Sequence, residues 1–338
     1  MKVLFRCDGN ATVGLGHLSR SLALADAVED EGGESIFVGA YDYAARVLLR
    51  SDGPHVVPLA AQPASLQDAE ETAQLVAQSA VDAVVIDGYR FGADFLERLA
   101  QERTGRPLTV VDDFGLLARY PRAARILNFT FGAEGVGYEG RDLRIRRGPG
   151  YTLLRRATRN LRRQSRPDMS ATALLVAIGG VDRAGFTESV LRAAARTGLQ
   201  HVEVVMSEGA PGRDTVERLV ASVGGRLFGR QPNLAERFAA ARACVTGGGL
   251  TKYEACYLGL PCAVMPQSPG EAEDTVKAVA LGVVLAVDPL SPTSLPTTLV
   301  ALGEEGLRAG LRAACYRIFP MDPTRAALQL VVGEDTAP

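Results

Sequence analysis

Short runs of β-branched and apolar residues alternate with longer amphipathic stretches along this chain, in two successive series. That alternation marks βα units with parallel strands, because each amphipathic stretch must cross back over the sheet before the next strand begins. In the first series the strand candidates are residues 2–7, 35–38, 55–58, 83–86, 108–111 and 125–128, and helix candidates include 17–31, 65–79 and 93–103. In the second, strands are expected near 172–178, 201–206, 243–246, 262–266 and 283–287, with helices near 184–196, 214–223, 250–258 and 272–280. The reading is α/β, with an N-terminal Rossmann-like domain over 1–150, a linker at 151–170 and a C-terminal Rossmann-like domain over 171–320. A last segment, 321–338, is expected to hold a helix that crosses back to the first domain. A length of 338 residues accommodates two such domains, and 47% hydrophobic residues suffice for two cores.

Charge and composition exclude several classes. With 37 basic and 39 acidic side chains the formal net charge is -2, which argues against wholesale nucleic-acid binding. No run of about 18 uncharged apolar residues occurs, so membrane association is not expected. The segment from Met1 to Arg6 enters a strand without a signal-like apolar region, and a cytoplasmic location is expected. Cys7, Cys244, Cys256, Cys262 and Cys315 are odd in number and form no C-x-x-C pair, as for reduced thiols. His17, His55 and His201 have no Cys or His at ligand spacing, so neither a metal nor a cofactor is expected. Residues 141–166 hold ten arginines around Gly148-Pro149-Gly150. A solvated linker is the plain reading, and a face that attracts phosphate the sharper one.

Three constellations could carry chemistry. Arg6-Cys7-Asp8-Gly9-Asn10 leads through Gly14-Leu15-Gly16 to His17, a strand that empties through a glycine-rich loop into a helix. Glycines let backbone amides approach a ligand, and the helix start offers unpaired donors. Ser19 stands where a dinucleotide fingerprint needs its third glycine. The helix dipole at His17 disfavours a charged imidazolium, leaving a ring able to accept a proton, although a packing role is equally open. Asp87-Gly88-Tyr89 and Asp112-Asp113 end consecutive strands, where they face a ligand crevice or cap turns. Gly179-Gly180-Val181-Asp182 and Thr246-Gly247-Gly248-Gly249-Leu250-Thr251-Lys252-Tyr253-Glu254 are two further glycine-rich βα junctions. The triple glycine is suited to a diphosphate, and Glu254 one turn later to ribose hydroxyls. Glycine-rich junctions in both halves suggest a ligand held between the domains.

In this order these motifs resemble a known family. Arg6-x-Asp8, Gly14-x-Gly16-His17-x-x-Arg20, Asp87-x-Tyr89, Val111-Asp112-Asp113, Gly148-Pro149-x-Tyr151, Gly179-Gly180-x-Asp182 and Gly248-Gly249-x-Thr251-x-x-Glu254 followed by Gly259-x-Pro261 are similar to those of the UDP-2,4-diacetamido-2,4,6-trideoxy-β-L-altropyranose hydrolase of pseudaminic acid biosynthesis and its spore-coat polysaccharide relatives. The C-terminal half is also similar to the N-acetylglucosaminyltransferase of lipid-linked peptidoglycan precursor synthesis. The resemblance implies a GT-B architecture with an interdomain cleft and a UDP-sugar or other nucleotide-sugar as the small-molecule partner. It implies that His17 and Tyr89 are catalytic, and that water attacks the anomeric carbon to release UDP and a free amino or deoxy sugar. Arg6, Asp8, Gly14, Gly16, Gly180, Asp182, Gly248, Gly249, Thr251 and Glu254 are the expected substrate-binding residues. One departure stands out: Gly270-Glu271 replaces an Asn-Gln pair, so Glu271 is expected at the substrate with a carboxylate that only accepts hydrogen bonds. Two alternatives share the fold, a glycosyltransferase using a nucleotide-sugar donor and a nucleotide-sugar binding protein with altered catalysis. The sequence leaves the oligomeric state open.

Overall fold

The computed structural model describes residues 1–102, 105–164, 173–179, 182, 184–229, 234–291 and 293–333. The chain divides into two compact units, Met1–Arg156 with the segment from Asp322 onward, and Ala157–Met321.

The first unit runs β1 (Lys2–Cys7), α1 (Gly16–Asp30), β2 (Glu34–Gly39), α2 (Tyr43–Asp52), β3 (His55–Pro58), α3 (Leu66–Gln78), β4 (Ala83–Asp87), α4 (Ala93–Glu102), β5 (Leu108–Val111), β6 (Arg125–Asn128) and β7 (Arg144–Arg147). Its sheet has the order β3-β2-β1-β4-β5-β6-β7, every pairing parallel. The central strands β1 and β4 are covered on both faces, which is why Val3 to Phe5 and Ala83 to Ile86 read as continuous apolar runs. Leu4, Val38, Val84, Ile86, Phe95, Leu96, Val110 and Ile126 form the core on one side of this sheet.

The second unit follows α5 (Arg156–Gln164) with β8 (Ala173–Ala177), α6 (Phe186–Thr197), β9 (Val202–Val205), α7 (Arg213–Ser222), β10 (Arg226–Phe228), α8 (Ala235–Ala240), β11 (Ala241–Gly247), α9 (Leu250–Tyr257), β12 (Cys262–Met265), α10 (Pro269–Ala280), β13 (Leu285–Ala286), α11 (Ser294–Ala301) and α12 (Glu305–Ile318). Its parallel sheet has the order β10-β9-β8-β11-β12-β13. Val176, Val190, Leu191, Val204 and Val245 are fully buried in its core. Both sheets are thus doubly wound, each reversing its strand order beside its first strand.

The last helix, α13 (Pro323–Val332), belongs to the first unit. The Thr324 hydroxyl accepts from the Leu154 amide at 2.9 Å and donates to the Thr152 carbonyl at 3.1 Å, while Arg125 donates to the Val331 carbonyl at 2.8 Å.

The arginine-rich stretch is not the solvated linker its charge suggests. Its described part, 141–164, forms the edge strand β7 and α5, and two of its arginines pair with acidic residues late in α1. Arg155 pairs with Asp26 at 2.8 Å, and Arg156 with Glu29 at 2.9 Å and Asp30 at 2.7 Å. Arg162 lies over the Tyr257 ring and donates to the Phe319 carbonyl, and Arg147 lies over Tyr138. Among the described residues no helix is long and apolar enough to cross a membrane.

Candidate active site

A doubly wound sheet opens a crevice at the carboxyl ends of the strands flanking its reversal point. In the first unit these are β1 and β4, and Cys7 ending β1 lies in register with Asp87 ending β4. From β1 the chain turns through Asp8 to Leu15 into α1. Asn10 holds this loop: its side chain accepts from the amides of Thr12 and Val13, and its carbonyl accepts from the Gly14 amide at 2.8 Å. Gly14 has a φ of +75°, which favours glycine. A Cβ added to Gly14 or Gly16 would meet nothing within 4 Å, so the space above both is open. Helix α1 has no side-chain cap and no acidic residue in its first turn, leaving its leading amides without those partners.

His17 sits in that first turn, and a side chain far away in sequence orients it. Its Nδ1 lies 2.8 Å from Asp87 Oδ1. Asp87 also takes a forked pair from Arg20, Nε at 2.7 Å and Nη2 at 2.6 Å, and a Ser21 hydroxyl at 3.3 Å. Arg20 Nη2 lies 3.0 Å from His17 Nδ1, but both point at the same carboxylate oxygen. The carboxylate is the stronger acceptor, so Nδ1 carries the proton and donates to Asp87. Nε2 is then the lone-pair nitrogen, and it makes no hydrogen bond to the described residues. Burial would raise the Asp87 carboxyl, but Arg20 and His17 outweigh it and hold the group below the usual range.

Tyr89 meets His17 edge-on, with ring centroids 4.5 Å apart, and its hydroxyl donates to Asp113 Oδ2 at 2.8 Å. Burial of the hydroxyl and the Asp113 carboxylate drive the phenol well above its ordinary range, so it stays protonated. His17 is 9% exposed and Tyr89 49%, so the tyrosine is the open member of the pair. Arg20 Nη1 reaches the same Asp113 Oδ2 at 2.5 Å, whereas Asp113 Oδ1 is buried without a partner. The neighbouring Asp112 turns the other way, capping the amides of Phe114 and Gly115 and accepting from the Tyr120 hydroxyl.

Arg6 requires a correction. It is fully buried, with Nε and Nη2 on Asp68 at 2.9 and 2.6 Å, Nη1 on Asp8 at 2.6 Å and Phe91 beneath it. It therefore reaches no ligand and instead fixes Asp8, whose Oδ1 also accepts from the Ala40 amide.

In the second unit the reversal point lies between β8 and β11, and β11 ends in the triple glycine. Two of the three glycines answer to packing. A Cβ on Gly247 would lie 2.2 Å from the Ile178 carbonyl oxygen, and one on Gly248 would lie 2.5 Å from Glu271 Cβ. Over Gly249 the nearest atom would be Glu271 Oε1 at 3.8 Å. Gly249 caps α9 without any side-chain hydrogen bond, so the amides following it can receive an anion. Thr251 and Glu254 are half-buried on this helix. Lys252 is not a phosphate ligand: its buried ammonium donates to the Gly248 carbonyl at 2.6 Å and pairs with Asp274 at 2.5 Å, tying the loop to α10.

Glu271 does adjoin this loop, but as a capping group. Ser268 caps α10 by accepting from the Glu271 amide, and Glu271 Oε2 accepts from the Gln267 amide at 2.6 Å. Asp182 is likewise a cap, its two oxygens taken by the amides of Phe186 at 2.9 Å and Thr187 at 2.7 Å. Each oxygen thus carries one amide of α6, so the carboxylate holds the start of that helix whatever else it meets. Gly180 lies outside the described residues.

The structure thus brings His17 and Tyr89 together, with Gly14 and Gly16 beside them in the chain, and gathers Gly248, Gly249 and Glu271 at the start of α9. It joins to them Asp87 and Asp113, which the sequence left between a crevice-facing and a turn-capping role, and Arg20, to which it gave no role of its own. The available signal was positional: both aspartates end strands, and Arg20 lies one turn after His17 on α1.

Two doubly wound domains in one chain define the GT-B fold of glycosyltransferases. MurG of Acinetobacter baumannii superposes with a TM-score of 0.67 at 13% identity, covering 98% of this chain and 99% of that one. A glycosyltransferase of Rickettsia africae ESF-5 gives 0.65 at 10% identity over 99% of each chain. The Streptomyces sp. SF2575 glycosyltransferase SsfS6, complexed with thymidine diphosphate, gives 0.61 at 13% identity over 97% of this chain and 99% of that one. In sequence the chain resembles the spore coat polysaccharide biosynthesis protein SpsG of Bacillus subtilis (strain 168), 24% identical over 272 residues, 79% of this chain and 78% of that protein. No protein-family model matches the chain.

Proposed function

We propose that this protein transfers a glycosyl group from a nucleotide sugar to an acceptor hydroxyl, with His17 as general base. The observation that carries the reading is the His17–Asp87 pair at the reversal point of the first sheet, which leaves Nε2 as the proton acceptor. In the proposed step Nε2 takes the acceptor hydroxyl proton, the acceptor oxygen bonds to the anomeric carbon, and the carbon–oxygen bond to phosphate breaks. The nucleoside diphosphate departs with the bonding electrons. Asp87 stabilises the imidazolium that forms, and base catalysis of this kind contributes ~10²–10⁴-fold. Gly249 and the leading amides of α9 are the proposed diphosphate site, and Glu254 the proposed acceptor for ribose hydroxyls. The solved glycosyltransferases sharing the fold favour an acceptor hydroxyl, and the one complexed with thymidine diphosphate supports a pyrimidine nucleotide.

Hydrolysis is the second reading, favoured by the ordered motifs around His17 and Tyr89 that resemble the nucleotide-sugar hydrolase. There the same nitrogen takes its proton from water.

Incubation with UDP- and dTDP-sugars, with and without saccharide acceptors in oxygen-18 water, separates the readings. Nucleotide release that requires an acceptor supports transfer. Release without one, with label on the freed sugar, identifies hydrolysis. Tight nucleotide-sugar binding with no product in any arm would overturn both and leave a binding protein.

A further inference from the structure

We infer that Arg20 is a positioning residue that sets His17 and Tyr89 at once, through two different carboxylates; the inference rests on the general-base role proposed above for His17 and on the catalytic role that the resemblance implies for Tyr89. Three nitrogens of one guanidinium are committed. Nε and Nη2 form a fork on Asp87, which holds His17 Nδ1, and Nη1 binds Asp113, which holds the Tyr89 hydroxyl. Every link in the chain from His17 to Tyr89 is 2.5 to 2.8 Å long, and Arg20 is 5% exposed.

Arginine is required because the arrangement asks for two directions from one cation. A lysine ammonium is a point charge on a flexible stem and cannot present a fork to one carboxylate while reaching a second. The charges point the same way. Asp87 and Asp113 are both buried and Arg20 is the cation that bonds to each, so its removal leaves two buried carboxylates without their shared cation. Asp113 depends on it most, since all its side-chain bonds fall on Oδ2 and Oδ1 has none. The guanidinium remains charged: burial would lower its pKa, but Asp113 and Asp87 raise it further. Other groups at the cluster are Cys7, beside Asp87, and the Ser21 hydroxyl, neither of which replaces the cation.

The test has one arm independent of turnover. In the free protein labelled with ¹⁵N-histidine, the Nδ1–H of His17 should give a downfield, slowly exchanging resonance, assigned by its absence in His17→Gln. Arg20→Lys should speed its exchange with water and shift it, in a protein whose circular dichroism is that of wild type. Asp113→Asn should leave the resonance in place, because it acts on the Tyr89 arm alone. In turnover assays Arg20→Lys should lower kcat by ~10²-fold with KM for the nucleotide sugar unchanged, the loss expected from misplacing reacting groups. Methylguanidinium should restore part of the activity of Arg20→Gly and none of that of Asp87→Asn. A folded Arg20→Lys with the wild-type resonance and kcat would overturn the inference. Wild-type protein that turns over no nucleotide sugar would instead overturn the proposed function, and the resonance would still decide the role of Arg20. Should the Arg20 variants fail to fold, loss of the His17 resonance in Asp113→Asn would count against the two-armed arrangement.

Discussion

Asp87 converts its environment into a pH dependence whose sign follows from its partners. Its carboxyl lies below the ordinary range in the folded protein, so the stability it contributes is fully present above the unfolded value, about 3.9, and is lost as pH falls through the lower folded value. Asp87→Asn removes that dependence and leaves Arg20 with one fewer buried carboxylate. The variant should be less stable than wild type at pH 7 by about 3–5 kcal/mol, the usual cost of breaking a buried ion pair from one side. Below about pH 4 the difference should shrink, because the unfolded wild type then binds a proton that the folded protein takes up only at lower pH. Urea midpoints from pH 7 down to pH 2 measure both, and parallel curves at all pH values would refute the assignment. His17 illustrates what the sequence could and could not disclose at this scale. Its place in the first turn of a helix after a glycine loop was legible from local spacing. Its hydrogen-bond partner lies 70 residues away and Arg20 reaches Asp113 across 93 residues, so the parallel pairing of β1 with β4 and of β4 with β5 is what joins them.

The start of α9 separates a packing role from a ligand role within three consecutive glycines. Gly247→Ala puts a Cβ 2.2 Å from a backbone oxygen, which cannot give way as a flexible side chain would. It should cost roughly 2–3 kcal/mol, in the range of overpacking, and lower Tm whether or not nucleotide is present. Gly249 has a φ of -80° that any residue adopts, and the nearest atom to an added Cβ is 3.8 Å away. Gly249→Ala should therefore leave Tm within the small range of surface substitutions while weakening nucleoside diphosphate binding by about tenfold in calorimetry. Equal losses of stability in the two variants would show that Gly249 serves packing as well. The same contrast explains where element-level reading of the sequence failed. Alternating strands and helices were legible wherever central strands carry a buried apolar run, as in β1, β4, β8 and β11. Edge strand β7 reads Arg-Ile-Arg-Arg and looks solvated, because nothing local reveals that Asp26, Glu29 and Asp30 of α1 neutralise the arginines that follow it. The capping roles of Asp182 and Glu271 were hidden for the converse reason: a carboxylate beside a helix start caps that helix as readily as it meets a substrate, and spacing does not separate the two.

At the scale of the whole molecule, the chain leaves the first unit after Arg156 and re-enters it at Asp322, so the first unit is completed by a segment that follows the whole of the second. Helix α13 is not an appendage. It buries Thr324, Ala327, Leu328, Leu330 and Val331, and it packs on α1 and beneath β4 to β7. Two leucines and a valine at about 1.5–3 kcal/mol each amount to roughly 5–9 kcal/mol, an upper estimate because an unfolded chain already buries some apolar surface. That approaches the 5–15 kcal/mol that typically holds a whole domain. A chain ending at Met321 should therefore lose the folded first unit, whereas the second unit keeps all of its own core within Ala157–Met321. Limited proteolysis distinguishes the cases directly. The truncated protein should yield a resistant fragment beginning near Ala157, with the segment carrying His17 and Tyr89 degraded. Were that N-terminal segment to survive with its Asp87-held His17 resonance intact, the first unit would be stable without α13, and the helix would contribute far less than its buried side chains indicate.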